Sequence, residues 1–222
     1  MAPIHNAAMR GHLNGVRALI NSGTHVNARD SGGWTPLIYA ALFEHLPVVR
    51  ELLDRGANVN ARDSEGQTAL SIATGRGRLS MVRELLDRGA NINARDTTGQ
   101  TALIKAAFRE HLPVVRELLD RGANVNARTN DGNTALIWAA RFGRLAMVRL
   151  LLERGANTNG ILNRRNIRAN IRNAIMKHNA AKTIQRYHRA ATLRRRATAI
   201  PSLRKHLPNN VTLKILTARK NK

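Results

Sequence analysis

Apolar and polar positions along this chain repeat on a beat of 33 residues. RELLDRGAN stands at 50–58, 83–91 and 116–124, and RLLLERGAN follows at 149–157. Within the unit opening at Gly33, Thr35 is placed to cap a first helix and Pro36 suits its first turn. Pro47 opens a second helix, in which Val48, Val49, Leu52 and Leu53 form an apolar stripe at helical spacing. Gly56 comes directly after it, as a left-handed C-terminal cap requires. The polar stretch NVNARDSEGQ then predicts an extended turn leading to the next unit. Helices this short cannot bury an apolar face alone, so their stability must come from stacking on neighbours.

The opening glycines Gly33, Gly66, Gly99 and Gly132 keep the same step. Five units follow, over about 1–32, 33–65, 66–98, 99–131 and 132–160, the first lacking its opening turn. A longer period of 66 overlies the first, because Glu44-His45-Leu46-Pro47 recurs at 110–113 and Gly77-Arg78-Leu79 at 143–145. Duplication of a two-unit block accounts for it.

TPLIYA, VVRELLDRGANVNA and their copies resemble ankyrin repeats. The resemblance covers about 160 of the 222 residues and implies an all-α solenoid of helix-turn-helix units with projecting turn tips. One family feature is thinned: the histidine after Pro-Leu survives only as His5 and is Ile38, Ser71, Ile104 and Ile137 elsewhere. Its hydrogen bond to the neighbouring turn is expected to give way to apolar packing at those positions.

Charge divides the chain at Gly160. Residues 1–160 carry 20 Lys and Arg with all 14 acids, whereas 161–222 carry 17 Lys and Arg and no acid. The net charge of +23 is therefore mainly a property of the tail. The absence of cysteine excludes disulfides and thiolate chemistry. The N-terminus shows no signal pattern and no apolar run reaches bilayer length, so a cytoplasmic or nuclear location is expected.

Catalytic chemistry finds little footing in the repeats. GRGRLS at 75–80 lacks the Gly-Lys-Ser/Thr ending of a phosphate loop. His45 and His111 occupy one linker position in different units, which suits a structural role better than a metal site, and no cofactor is expected. Glu51, Asp54, Glu117 and Asp120 recur beside arginines, as on a solvated helix face. No nucleophile, base and orienting group come together, so an enzyme is not expected.

The aromatic residues point instead to binding. In ankyrin-like arrays the turn tip and the exposed side of the first helix line a concave groove. Carried onto this chain, that pattern selects Trp34, Tyr39, Leu42, Phe43, Gln67, Arg76, Gln100, Lys105, Phe108, Arg109, Asn133, Trp138, Arg141 and Phe142. Rings interleaved with Arg and Gln have the composition of protein-binding hot spots; some of these rings are expected to pack between neighbouring units instead.

From Ile161 to Ile200 there is no glycine or proline, and Ile167, Ile171 and Ile175 recur every fourth residue, predicting a basic amphipathic helix. Such a helix suits docking on the array, an acidic partner, anionic lipid or phosphates. Within it, 180–197 resembles the IQ motif, through Ile184, Gln185, Arg189 and Arg194. That resemblance implies calmodulin or another EF-hand protein as partner, with Ile184 in an apolar pocket, Gln185 on backbone and the two arginines on acidic residues. Ala190 and Ala197 depart from the usual glycine and bulky apolar residue, and a generic Arg-rich helix competes evenly. The stretch 206–216, with Leu207-Pro208, resembles the start of an F-box, which implies a ubiquitin-ligase adaptor; a single short helix after Pro208 is the simpler reading. Charge-driven contact with nucleic acid or anionic membrane is a further alternative for the tail, with only Tyr187 available there to stack on a base.

Overall fold

The computed structural model describes residues 2–159, 161–162 and 167–199, with backbone alone over 194–199. The first helices of successive units are α1 (Pro3–Met9), α3 (Pro36–Leu42), α5 (Ala69–Gly75), α7 (Ala102–Phe108) and α9 (Ala135–Arg141). Each pairs with a second helix: α2 (Leu13–Asn21), α4 (Leu46–Asp54), α6 (Leu79–Asp87), α8 (Leu112–Asp120) and α10 (Leu145–Glu153). A longer helix, α11, spans Ala169–Ala199.

The local signals act as expected. Thr35, Thr68, Thr101 and Thr134 cap α3, α5, α7 and α9, each hydroxyl accepting a backbone N–H three residues on. Gly56, Gly89, Gly122 and Gly155 follow the second helices at positive φ. First helices stack on first helices and second helices on second, burying Leu37, Leu70, Leu103 and Leu136 together with Val49, Val82, Val115 and Val148 in one continuous core.

Polar ladders with the same period hold the units in register. Asn27, Asn60, Asn93 and Asn126 each accept, through the side-chain oxygen, the backbone N–H of an asparagine 31 residues on, at 2.7–2.9 Å. Arg29 and Arg62 donate to the carbonyls of Arg62 and Arg95 in the next turn. Along the second helices Arg17, Arg50 and Arg83 reach Glu51, Glu84 and Glu117 at 2.7–2.9 Å. Exposed pairs of this kind add roughly 0–1 kcal/mol each, so their main effect is to fix alignment.

The missing histidines leave the expected trace. Buried His5 lies within 3.0 Å of the Ala28 carbonyl oxygen and 3.1 Å of that of Trp34. Ile38, Ile104 and Ile137 are buried apolar residues, and the Ser71 hydroxyl is taken up by Thr68 in its own capping box.

Two compact units are present, one reaching Ile175 and the other beginning at Met176. The core runs past residue 160. Ile161, Ile171 and Ile175 are all buried in it, and the N–H of Ile161 turns back to the Thr158 carbonyl. The helix expected from Ile161 thus begins at Ala169, because Ile161 is drawn into a turn against the core. The last helix pair is adapted to this cover. Leu150 replaces the glutamate found at 51, 84 and 117 and is buried, as is Leu152, whose equivalents Leu53, Leu86 and Leu119 are only partly covered. Arg168 lies against Gly143 in the same unit. These residues close the array as a terminal cap does.

In the second unit, the described side chains from Met176 to Leu193 are largely exposed, Ile184, Tyr187 and Leu193 among them. Of the amphipathic helix expected over 161–200, the described side chains of α11 are buried only at Ile171 and Ile175. Among the described residues no helix is long and apolar enough to cross a membrane. The F-box-like stretch 206–216 lies outside the described residues, as does the side chain of Arg194.

Candidate functional site

The turn tips are built by one side chain per unit. Asp30 Oδ1 accepts the N–H groups of Gly32 and Trp34, each at 2.9 Å; Asp63 and Asp96 repeat the arrangement, and Thr129 replaces it with its hydroxyl. The second carboxylate oxygen meets the residue nine positions on, in the first helix. Tyr39 donates its hydroxyl to Asp30 at 2.7 Å, and Lys105 pairs with Asp96 at 2.9 Å. At Asp63 the corresponding residue is Ile72, and the buried Oδ2 has no hydrogen-bond partner.

These contacts shift the titrating groups. Burial pushes the Asp30 carboxyl up, but the bonds from Tyr39, Trp34 and Gly32 together hold it below the usual carboxylate value. Burial, then the hydrogen bond and charge of Asp30, push Tyr39 up to about 12. Burial likewise raises Asp96, yet Thr98, Lys105 and the Gln100 N–H bring it below its ordinary value.

Tips and first helices enclose a cleft of about 460 Å³. Of the residues selected from sequence, Trp34, Leu42, Gln67, Arg76, Gln100, Lys105, Phe108 and Arg109 line it. Glu65, Ser71, Ile72, Gly75, Asp96 and Thr98 also line it and were not selected; the recurrence of Asp at 30, 63 and 96 was the available signal. Inside the cleft Lys105 bonds Gln67, and Gln67 bonds Glu65, making a polar floor of linked groups.

Tyr39, Phe43, Asn133, Trp138, Arg141 and Phe142 are not among the residues that line the cleft. Phe108 extends it into an aromatic cluster, its ring centroid 5.1 Å from Trp138 and 5.6 Å from Phe142 in edge-to-face contact. Arg109, Arg141 and Arg144 stand over the rings of Phe108, Trp138 and Phe142 at 6.0, 5.5 and 5.1 Å. Phe108 and Phe142 are exposed, at 37% and 43%. At the other end Trp34 packs on Tyr39 at 5.1 Å and Tyr39 on His5 at 5.8 Å, so these rings do pack internally, while Phe43 is exposed. Asn133 donates its N–H to Thr129 at a turn tip. In the tail, Ile184, Gln185 and Arg189 are exposed on α11.

His45 and His111 have structural partners: Nε2 lies 3.0 Å from the Met9 carbonyl oxygen in one case and 3.1 Å from that of Gly75 in the other. Among the described residues no group of His, Asp and Glu is arranged to hold a metal ion.

A comparison with curated proteins found no significant match. A family model described as ankyrin repeats, in three copies, matches residues 4–96 and again 70–161. With the stacked helix pairs and the turn-tip geometry, that match makes this chain a member of the ankyrin repeat family.

Proposed function

We propose that this chain is a non-enzymatic scaffold of five ankyrin repeats, binding a protein partner in its concave groove and a second, acidic partner on its tail. The observation that carries the groove reading is the exposed aromatic and arginine surface of the first helices, continuous with the cleft through Phe108. Exposed aromatic rings on a framework held rigid by repeating hydrogen bonds lose little entropy on binding, which is what hot spots require. For the tail, calmodulin or another EF-hand protein is the preferred partner. Exposed Ile184, Gln185 and Arg189 support that reading, since an apolar anchor beside cations suits an acidic lobe with an apolar pocket.

Partner capture by the full chain and by two variants is the test. Phe108→Ala/Phe142→Ala is expected to lose groove partners, and Ile184→Ala/Arg189→Ala to lose calmodulin. Partners indifferent to both changes contradict the proposal. A second reading rests on the 17 Lys and Arg of the acid-free tail, which suit phosphates or anionic lipid. A tail neutralising about six phosphates gives a log–log salt slope near −5 on duplex DNA; a flat salt dependence removes that reading.

A further inference from the structure

Arginines on the second helices and on the groove face of this array differ in their partners. Along the second helices they are matched to carboxylates: Arg50 to Glu84, Arg83 to Glu117, Arg88 to Asp54, Arg121 to Asp87 and Arg154 to Asp120. Arg116 and Arg149 are the exceptions, and for Arg116 the repeat explains it, because the residue 34 positions on is Leu150. On the groove side Arg144, over Phe142, pairs with Glu110, but three others do not pair. Arg76, Arg109 and Arg141 are exposed at the ends of the first helices and have no carboxylate partner among the described residues. Two of them stand over the rings of Phe108 and Trp138.

Three exposed arginines without a carboxylate partner among the described residues, on the face that carries Phe108, Trp138 and Phe142, present positive charge and apolar area together. We infer that the groove takes an acidic linear peptide with an aromatic or large aliphatic anchor, the anchor seated at Phe108, Trp138 and Phe142 and the carboxylates on Arg76, Arg109 and Arg141. This inference rests on the groove reading proposed above and adds the partner's chemistry. Charge complementarity disfavours the chain's own acid-free tail as occupant. It also favours a peptide over a nucleic-acid strand. Glu65 and Asp96 line the same cleft, and a continuous phosphate backbone meets them unavoidably. A peptide can set neutral residues there and place its carboxylates only at the arginines.

The test uses the full chain and fluorescein-labelled peptides of roughly twelve residues. One carries Asp and Glu around a central Phe, the second replaces the acids with Lys, the third replaces them with Ser, and an oligo(dT) of similar length completes the set. Anisotropy at about 0.15 M salt is read for the natural chain, for Arg109→Glu/Arg141→Glu and for Phe108→Ala/Phe142→Ala, with circular dichroism confirming that each variant is folded. Both substituted pairs keep the tail, so tail binding is unchanged across the set. The expected result is binding of the acidic peptide that falls about tenfold or more in each variant, while the Lys peptide gains affinity for the charge-reversed one. Acidic-peptide binding equal in all three proteins overturns the inference and assigns the affinity to the tail. Equal binding of the Ser peptide, lost in Phe108→Ala/Phe142→Ala, overturns the acidic chemistry and leaves the groove reading standing. Stronger binding of oligo(dT) with the same sensitivity to the variants overturns it in favour of nucleic acid. Insensitivity of every probe to both variants overturns the inference and the groove reading together.

Discussion

A Cβ atom on Gly77 would lie 2.6 Å from Nδ1 of His111, the histidine that reaches back to the Gly75 carbonyl of the preceding unit. Gly11 stands in the same relation to His45. In the alternate units this linker position is Glu44 or Glu110, at φ of 65° and 67°, and the residue facing it is Arg78 or Arg144. The 66-residue period is therefore a matched alternation of two interface types, Gly with His and Glu with Arg. Arg168, the residue before α11, takes the facing place at Gly143, where the next unit would supply its partner.

Breaking the match at one position is expected to cost stability. Gly77→Glu places a side chain at positive φ and against the His111 ring, for a loss of about 2 kcal/mol or more. Gly77→Glu with His111→Arg rebuilds the alternate interface and is expected to recover at least about half of that loss. Urea midpoints of the two single variants and the double variant check it; strictly additive losses contradict the pairing.

Tyr39 offers a pH signature. Its pKa, raised to about 12, means that the folded state favours the protonated phenol. The stabilisation is complete below the unfolded value near about 10 and is lost as pH rises from there through about 12. Since the chain has two tyrosines, a Tyr187→Phe variant isolates Tyr39 for titration by absorbance of the phenolate. The midpoint is expected near 12 and lower after Asp30→Asn, which removes the charge facing the hydroxyl.

Asp63 has a buried oxygen that its counterparts satisfy with Tyr39 or Lys105. Ile72→Tyr copies the Asp30 arrangement and is expected to stabilise the array by about 1 kcal/mol. Thermal denaturation measures it. A loss instead would mean that the apolar packing of Ile72 outweighs the hydrogen bond.

The cap is open to a direct contrast. Ile171→Ala removes a fully buried side chain and is expected to lower stability by about 2–4 kcal/mol. Ile184→Ala, on the same helix but exposed, is expected to change it by less than about 0.5 kcal/mol. Equal effects contradict the closing role of the first turns of α11.

Much of this was legible in the sequence because each repeat carries its own local instructions. Thr35 with Pro36 and Gly56 are signals acting within a few residues, and the 33-residue copies multiplied them. Eight of the selected groove residues line one cleft for the same reason. What stayed hidden depends on which side chains the folded units bring together. Nothing near Asp63 in sequence shows that Ile72 leaves its oxygen unmatched when Tyr39 and Lys105 do not. The apolar stripe of Ile171 and Ile175 reads equally well as a lipid face, a partner face or a cap, and only their burial in the array core distinguishes these. Arg109 and Arg141 look like any other arginines until the pairing of Arg83 and Arg121 sets them apart.

The central claim, that the first-helix face of the array binds protein, is tested most directly by selecting peptides from a display library on the full chain and measuring each again on Phe108→Ala/Phe142→Ala and on Ile184→Ala/Arg189→Ala. The account predicts a class of peptides that loses about tenfold or more in affinity on the first variant and is unchanged on the second. Selected peptides that all bind the first variant as tightly as the natural chain would contradict it.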